Sequence, residues 1–130
     1  MAKKIRARLE LGPSAPAKAR AVLRGLEGEL PEPLFHDLRL LVSELVTNSY
    51  RHTEAGPDGA ATLTVDVEPE RVHVDVADPG NGFVPKPVST SPLERSSGWG
   101  LALVDRIAER WGVTHDNGTH VWFDLGLRAG

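Results

Sequence analysis

The 130-residue sequence has no cysteine, few aromatic residues and no surplus of positive charge. Without cysteine, disulfide frameworks and thiolate metal sites are excluded. Aromatic residues make up 5% of the chain, and Trp99, Trp111 and Trp122 lie too far apart for a base-stacking platform. The formal net charge is -3 and the pI is about 5.9, so the electrostatic footprint of a nucleic-acid binder is missing. No apolar run approaches the roughly 20 residues needed to span a bilayer. The opening M-A-K-K-I-R-A-R-L-E is charged and lacks the apolar stretch of a signal peptide. Several catalytic signatures are absent too: no phosphate-binding G-x-x-x-x-G-K-[ST], no G-x-S-x-G elbow and no full G-x-G-x-x-G in a β-α-β unit. The simplest reading is a cytoplasmic, non-membrane, single domain over residues 1–130, with no repeat and no internal linker; only Arg128–Gly130 reads as a free tail.

Hydrophobic periodicity divides this domain into elements. Ile5, Ala7, Leu9 and Leu11 alternate with Lys4, Arg6, Arg8 and Glu10, the pattern of a half-buried strand ended by Gly12-Pro13. Ser14 is placed to cap a helix running to about Glu29. Pro31 and Pro33 open a second helix, whose stripe is Leu34, Leu38, Leu41, Val42, Leu45 and Val46, ending between His52 and Gly56. Two alternating strands follow, carrying Leu63, Val65 and Val67 and then Val72, Val74 and Val76, across Glu68-Pro69-Glu70. Residues 84–97 are polar, proline-rich and aperiodic, as a lid would be. Gly98-Trp99-Gly100 then opens a third helix with Leu101, Val104, Ile107, Ala108 and Trp111 in register, which Gly112 ends. Val113–His115 and His120–Leu127 flank the hairpin turn Asp116-Asn117-Gly118-Thr119, with Trp111 and Trp122 read as core and His115 and His120 as surface. The order predicts an α+β two-layer sandwich: a mixed, mostly antiparallel sheet with three helices on one face.

Three short stretches carry chemistry. Glu44 and Asn48 stand one turn apart on the second helix, about 40° from each other around its axis, with Asn48 at the edge of the apolar stripe and Glu44 beyond it. Asn offers a neutral oxygen ligand to a hard cation, and Glu a proton acceptor; taken alone, the pair also fits a solvent-facing helix edge. His52, in the middle of the stripe near the helix end, reads as a packed residue. The second stretch is D-P-G-N-G-F. It puts the carboxylate of Asp78 at the end of a strand, then Gly80 and Gly82, which let backbone pass close to a flat polar ligand. The third is Gly98-Trp99-Gly100-Leu101 at a helix start, where free N–H groups suit phosphate. Singly, each of these is also an ordinary loop or helix entry.

Together and in this order, E-L-V-T-N-S-Y-R-H, D-P-G-N-G-F, G-W-G-L-A-L-V and G-T-H-V-W-F-D-L resemble the Bergerat ATP-binding fold of gyrase, the Hsp90 chaperone, histidine kinases and MutL. G-W-G-L-A-L-V-D-R-I-A-E-R-W-G-V is most similar to the small anti-sigma-factor serine/threonine kinases of bacteria, and the resemblance runs from about Ile5 to Leu127. It implies ATP and Mg²⁺ as cofactors. Asn48 becomes the metal ligand, Glu44 the general base and Asp78 the acceptor of the adenine amine, assisted by Thr119. Gly80 and Gly82 make room for the nucleotide, and Gly98, Gly100 and Leu101 cap its phosphates. Arg95 or Lys86 of the lid is assigned to the γ-phosphate. The resemblance further implies an anti-anti-sigma (STAS-type) protein and a sigma factor as partners, and a homodimer. The alternative is a non-catalytic ATP-binding module that acts by stoichiometric sequestration.

Overall fold

Alternation in the first ten residues becomes an edge strand. In the computed structural model, which describes residues 3–52, 59–78, 101–115 and 118–126, strand β1 (Lys3–Glu10) pairs antiparallel with β2 (Ala60–Val67). β2 forms a hairpin with β3 (Arg71–Asp78), closed by Glu68 N–H donating to the Arg71 carbonyl at 2.8 Å. β3 then pairs with β5 (Thr119–Gly126), and β5 with β4 (Arg110–His115), so the sheet order is β1-β2-β3-β5-β4. Every pairing among these strands is antiparallel, where the sequence led us to expect some parallel pairing. The strand order explains this: β5 enters between β3 and β4 and runs against both.

The helices are α1 (Ala15–Leu23), α2 (Glu32–His52) and α3 (Ala102–Ile107). Pro16 stands in the first turn of α1, where its missing N–H costs nothing, and Ser14 occupies the N-cap without a side-chain cap bond. α1 ends six residues short of the expected Glu29. A 3₁₀ turn over Arg24–Leu26 follows, and Gly28 turns the chain at φ 85°, a conformation that favours glycine. Leu23, Leu26 and Leu30 nevertheless stay buried, so the apolar spacing is kept while the helix is not.

The core lies between α2 and one sheet face. Leu38, Leu41, Val42, Leu45 and Val46 from α2 meet Leu63, Val65, Val72, Val74, Val76 and Phe123 from the strands, all fully buried. α1 packs against α2 and β1, and α3 packs against α2 and β4.

The carboxyl-terminal region corrects the sequence expectation. Helix α3 stops at Ile107, Ala108 is extended, and Trp111 and Gly112 belong to β4 rather than to a helix. Glu109 N–H donates to the Asp124 carbonyl at 2.9 Å, so pairing with β5 begins before β4 itself. Trp111 and Trp122 are half-buried, not core: Trp111 Nε1 donates to Asp105 Oδ1 at 2.9 Å, and Trp122 sits on the outer sheet face. His120, read as surface, is half-buried and holds Asp75 at 3.1 Å.

That outer face is polar, and one row crosses all five strands. Lys4 stands opposite Asp66, Asp66 opposite His73, His73 opposite Asp124, and Asp124 opposite Arg110. His73 Nδ1 lies 2.5 Å from Asp124 Oδ1, and Arg110 Nη2 donates to Asp124 Oδ2 at 3.3 Å, which satisfies a carboxylate only 3% exposed. The Trp122 ring stacks on His73 at 5.6 Å and covers Gly112, where a Cβ would meet the indole at 2.9 Å. Gly112→Ala should therefore push the indole off His73 and lower the unfolding free energy by about 1–3 kcal/mol, the usual cost of overpacking. Urea denaturation followed by tryptophan fluorescence measures both effects.

Candidate functional site

Asp78 and Thr119 are residues far apart in sequence that the sheet brings face to face. They are register partners at the end of the β3–β5 ladder. The two-residue strand period assigns Asp78 to the face of Val72, Val74 and Val76, and Thr119 to the face of Val121, Phe123 and Leu125. Both therefore stand on the helix-covered side, one pleat beyond the apolar core. Thr119 is 9% exposed and Asp78 half-buried. Gly118, at φ 122°, turns the chain into β5 just before Thr119, in a backbone conformation that a side chain would strain. A carboxylate and a hydroxyl fixed on neighbouring strands form a rigid acceptor–donor pair. That pair suits the amine-bearing edge of a planar heterocycle.

Asn48 is the second component. It is 6% exposed, three residues past Leu45 and seven past Leu41, on the inner side of α2. It does not lie on a solvent-facing helix edge. Its Nδ2 is buried with no hydrogen-bond partner among the described residues. Such orphans are uncommon in folded proteins, because an unmade hydrogen bond leaves the full desolvation cost. The orphan is a donor and suits an anionic oxygen, whereas the amide oxygen of the same side chain is the atom that suits a cation. Glu44 stands one turn earlier on α2 and is half-buried. Its carboxylate makes no hydrogen bond or ion pair among the described residues.

The donor set fits a hydrated hard cation. Among the described residues no group of three or more His, Asp or Glu could hold a metal alone. An amide oxygen with one nearby carboxylate is the sparse protein share expected where Mg²⁺ keeps waters and takes its other ligands from phosphates. Leu101, expected to cap phosphates through its N–H, is 3% exposed and immediately precedes α3; its side chain joins the core. Gly80, Gly82, Lys86, Arg95, Gly98 and Gly100, and the lid expected over 84–97, lie outside the described residues, as does the side chain of His52. Among the described residues no helix is long and apolar enough to cross a membrane.

Comparison with known proteins bears on this arrangement. The model of the histidine kinase-like ATPase domain family matches residues 6–125. No curated protein matches the sequence. Among solved structures, the RsbU and RsbW domains of Rv1364c from Mycobacterium tuberculosis superpose with a TM-score of 0.72 at 20% identity, over 95% of this chain and 31% of that one. The blue-light activated histidine kinase EL346 of Erythrobacter litoralis superposes with a TM-score of 0.63 at 24% identity, over 91% of this chain and 42% of that one. A histidine kinase domain of the same EL346 protein gives a TM-score of 0.56 at 22% identity, over 86% of this chain and 60% of that one. The chain thus spans less than two thirds of each of these, and at such identities the likeness is one of fold.

Proposed function

Because the chain belongs to the histidine kinase-like ATPase domain family, matched over residues 6–125, we propose that it binds ATP·Mg²⁺ at this site and transfers the γ-phosphoryl group to a serine or threonine of a protein partner. The observation that carries the reading is the buried Asn48 side chain, whose Nδ2 has no hydrogen-bond partner among the described residues, on the helix facing the Asp78–Thr119 pair's side of the sheet; an unpaired N–H suits a phosphate oxygen, and the amide oxygen of the same side chain suits the metal beside it. In this scheme Asp78 accepts a hydrogen bond from the adenine amine and Thr119 supports it through its hydroxyl. Asn48 would hold the metal through its amide oxygen, and the metal would supply charge neutralisation at the phosphates. Glu44 takes the proton from the attacking hydroxyl as its oxygen bonds to the γ-phosphorus. The bond to the β–γ bridging oxygen breaks, and ADP leaves. Little else is asked of the protein, since phosphoryl transfer is accelerated mainly by positioning and charge neutralisation. Gly80, Gly82, Gly98, Gly100, Leu101 and Arg95 take the nucleotide-contacting roles their motif positions imply.

We place this activity in a partner-switching circuit, with an anti-anti-sigma protein as the phosphorylated substrate and a sigma factor as the sequestered partner. Support comes from the motif order in the sequence and from the fold shared with the RsbU and RsbW domains of Rv1364c. The purine reading is tested by calorimetric titration of ATP·Mg²⁺ into wild type and Asp78→Ala. The variant should bind about 10–100-fold more weakly, the range for losing a hydrogen bond to a charged acceptor. Guanine nucleotides, which offer a carbonyl where adenine has its amine, should bind the wild type poorly. Equal ATP affinity in the two proteins would remove Asp78 from the site.

A further inference from the structure

The two amino-terminal helices and the turn between them line an open groove that the nucleotide scheme does not use. α1 contributes Ala17, Arg20 and Ala21, at spacings of three and four that align on one side of the helix; Arg24 follows from the 3₁₀ turn, and α2 contributes Phe35 and Arg39, one turn apart. Glu27 completes the lining of a solvent-open, mainly polar groove of about 550 Å³. Its origin is plain: Ala17 and Ala21 are too short to fill the gap between helices whose longer neighbours are arginines. Phe35, 7% exposed, forms an apolar wall, and the Arg39 guanidinium lies over its ring at 5.8 Å. Arg20 Nη1 donates to Ser43 Oγ at 3.1 Å, and Ser43 Oγ donates to the Arg39 carbonyl at 2.8 Å, so one guanidinium is oriented in advance.

Three guanidinium groups against one carboxylate leave two positive charges here, on a chain whose formal net charge is -3. Among the described residues Arg24 and Arg39 have no carboxylate within ion-pairing distance. Arginine forks match oxyanions in pairs, and a phosphate dianion concentrates in one group the two charges that a single carboxylate cannot supply. Arg39 precedes Asn48 by nine residues on one helix, about 13 Å along its axis, so the groove is separate from the nucleotide site.

We infer that this groove is a second site, binding a phosphate-bearing ligand of at least two negative charges. The phosphate is either that of a free small molecule or one displayed on a partner chain. The test is calorimetry on the full chain in EDTA, where metal-dependent nucleotide binding is silent, so that its outcome does not depend on the ATP reading. Inorganic pyrophosphate and a phosphoserine peptide are the two probes, with a glutamate-rich unphosphorylated peptide as comparison. Saturable binding of either phosphate probe is expected, weakened about tenfold or more by Arg24→Ala and by Arg39→Ala. Both arginines are exposed, so the fold should survive, as circular dichroism will show. Glu27→Gln should tighten binding severalfold, a gain that damage to the fold would not produce. Tighter binding of pyrophosphate assigns a free ligand; tighter binding of the phosphopeptide assigns a partner chain. The inference fails if neither phosphate probe saturates, if the arginine variants bind as wild type does, or if the unphosphorylated peptide binds equally well.

Discussion

Asn48→Ala is expected to lose ATP·Mg²⁺ affinity by about a hundredfold or more, close to 2.8 kcal/mol, while leaving the fold almost as stable as before. These two outcomes rarely go together for a residue 6% exposed. Truncating a buried side chain ordinarily costs stability through lost contacts and the cavity left behind. Here the truncated amide carries a buried donor with no partner among the described residues, and removing an unsatisfied group returns its desolvation cost, about 1–3 kcal/mol. The two effects oppose one another, so the unfolding free energy should move by no more than about 1 kcal/mol. Thermal melts and calorimetric titrations of the same preparations give both numbers. Repeating the titration in EDTA separates metal ligation from other roles: without Mg²⁺ the wild type should fall to the level of the variant. If Asn48→Ala binds ATP·Mg²⁺ like wild type, the metal is held elsewhere; if it unfolds, the orphaned amide is stabilising and its assignment as a ligand group fails.

Much of this arrangement was readable before any coordinates, and the failures share a cause. Val72, Val74 and Val76 alternate so cleanly that only a half-buried strand fits, and the stripe from Leu34 to Val46 has helical spacing over more than three turns. The position of Asn48 at the edge of that stripe followed from the same wheel. Its burial did not, because burial depends on what the sheet and α3 bring against α2. Trp111 was misplaced since Val104, Ile107 and Trp111 satisfy a helical period, while Trp111 and Val113 also satisfy a strand alternation. The β5 ladder decided between them, an interaction no local window contains. Leu23, Leu26 and Leu30 misled in the opposite way, keeping helical spacing across Gly25 and Gly28, where the helix gives way. The pairing of Asp78 with Thr119, and of Asp124 with both His73 and Arg110, needs β5 inserted between β3 and β4. The arginine groove was missed because its residues come from two helices, with no motif in either.

Glu44→Gln should separate ATP binding from catalysis. The substitution keeps length and volume and removes only the charge. Glu44 is half-buried on the turn before Asn48 and holds no ion pair or side-chain hydrogen bond among the described residues, so little structure depends on its carboxylate. Stability should change by less than about 0.5 kcal/mol, as for surface substitutions without a specific role. ATP·Mg²⁺ affinity should stay within about threefold of wild type, because neither the base contact of Asp78 nor the metal contact of Asn48 is touched. Transfer of labelled phosphate to a partner protein should fall by about 10²–10⁴-fold, the usual contribution of a positioned general base. A carboxylate without a competing partner among the described residues can take the hydroxyl proton, whereas one locked in an ion pair would first have to break it. Loss of transfer with ATP affinity retained supports a kinase with Glu44 as its base. Transfer unchanged in the variant moves the base elsewhere. If the wild type labels no partner yet still binds one, in the presence of ATP and in both forms alike, the domain acts by stoichiometric sequestration, with the nucleotide serving only to shape the binding surface.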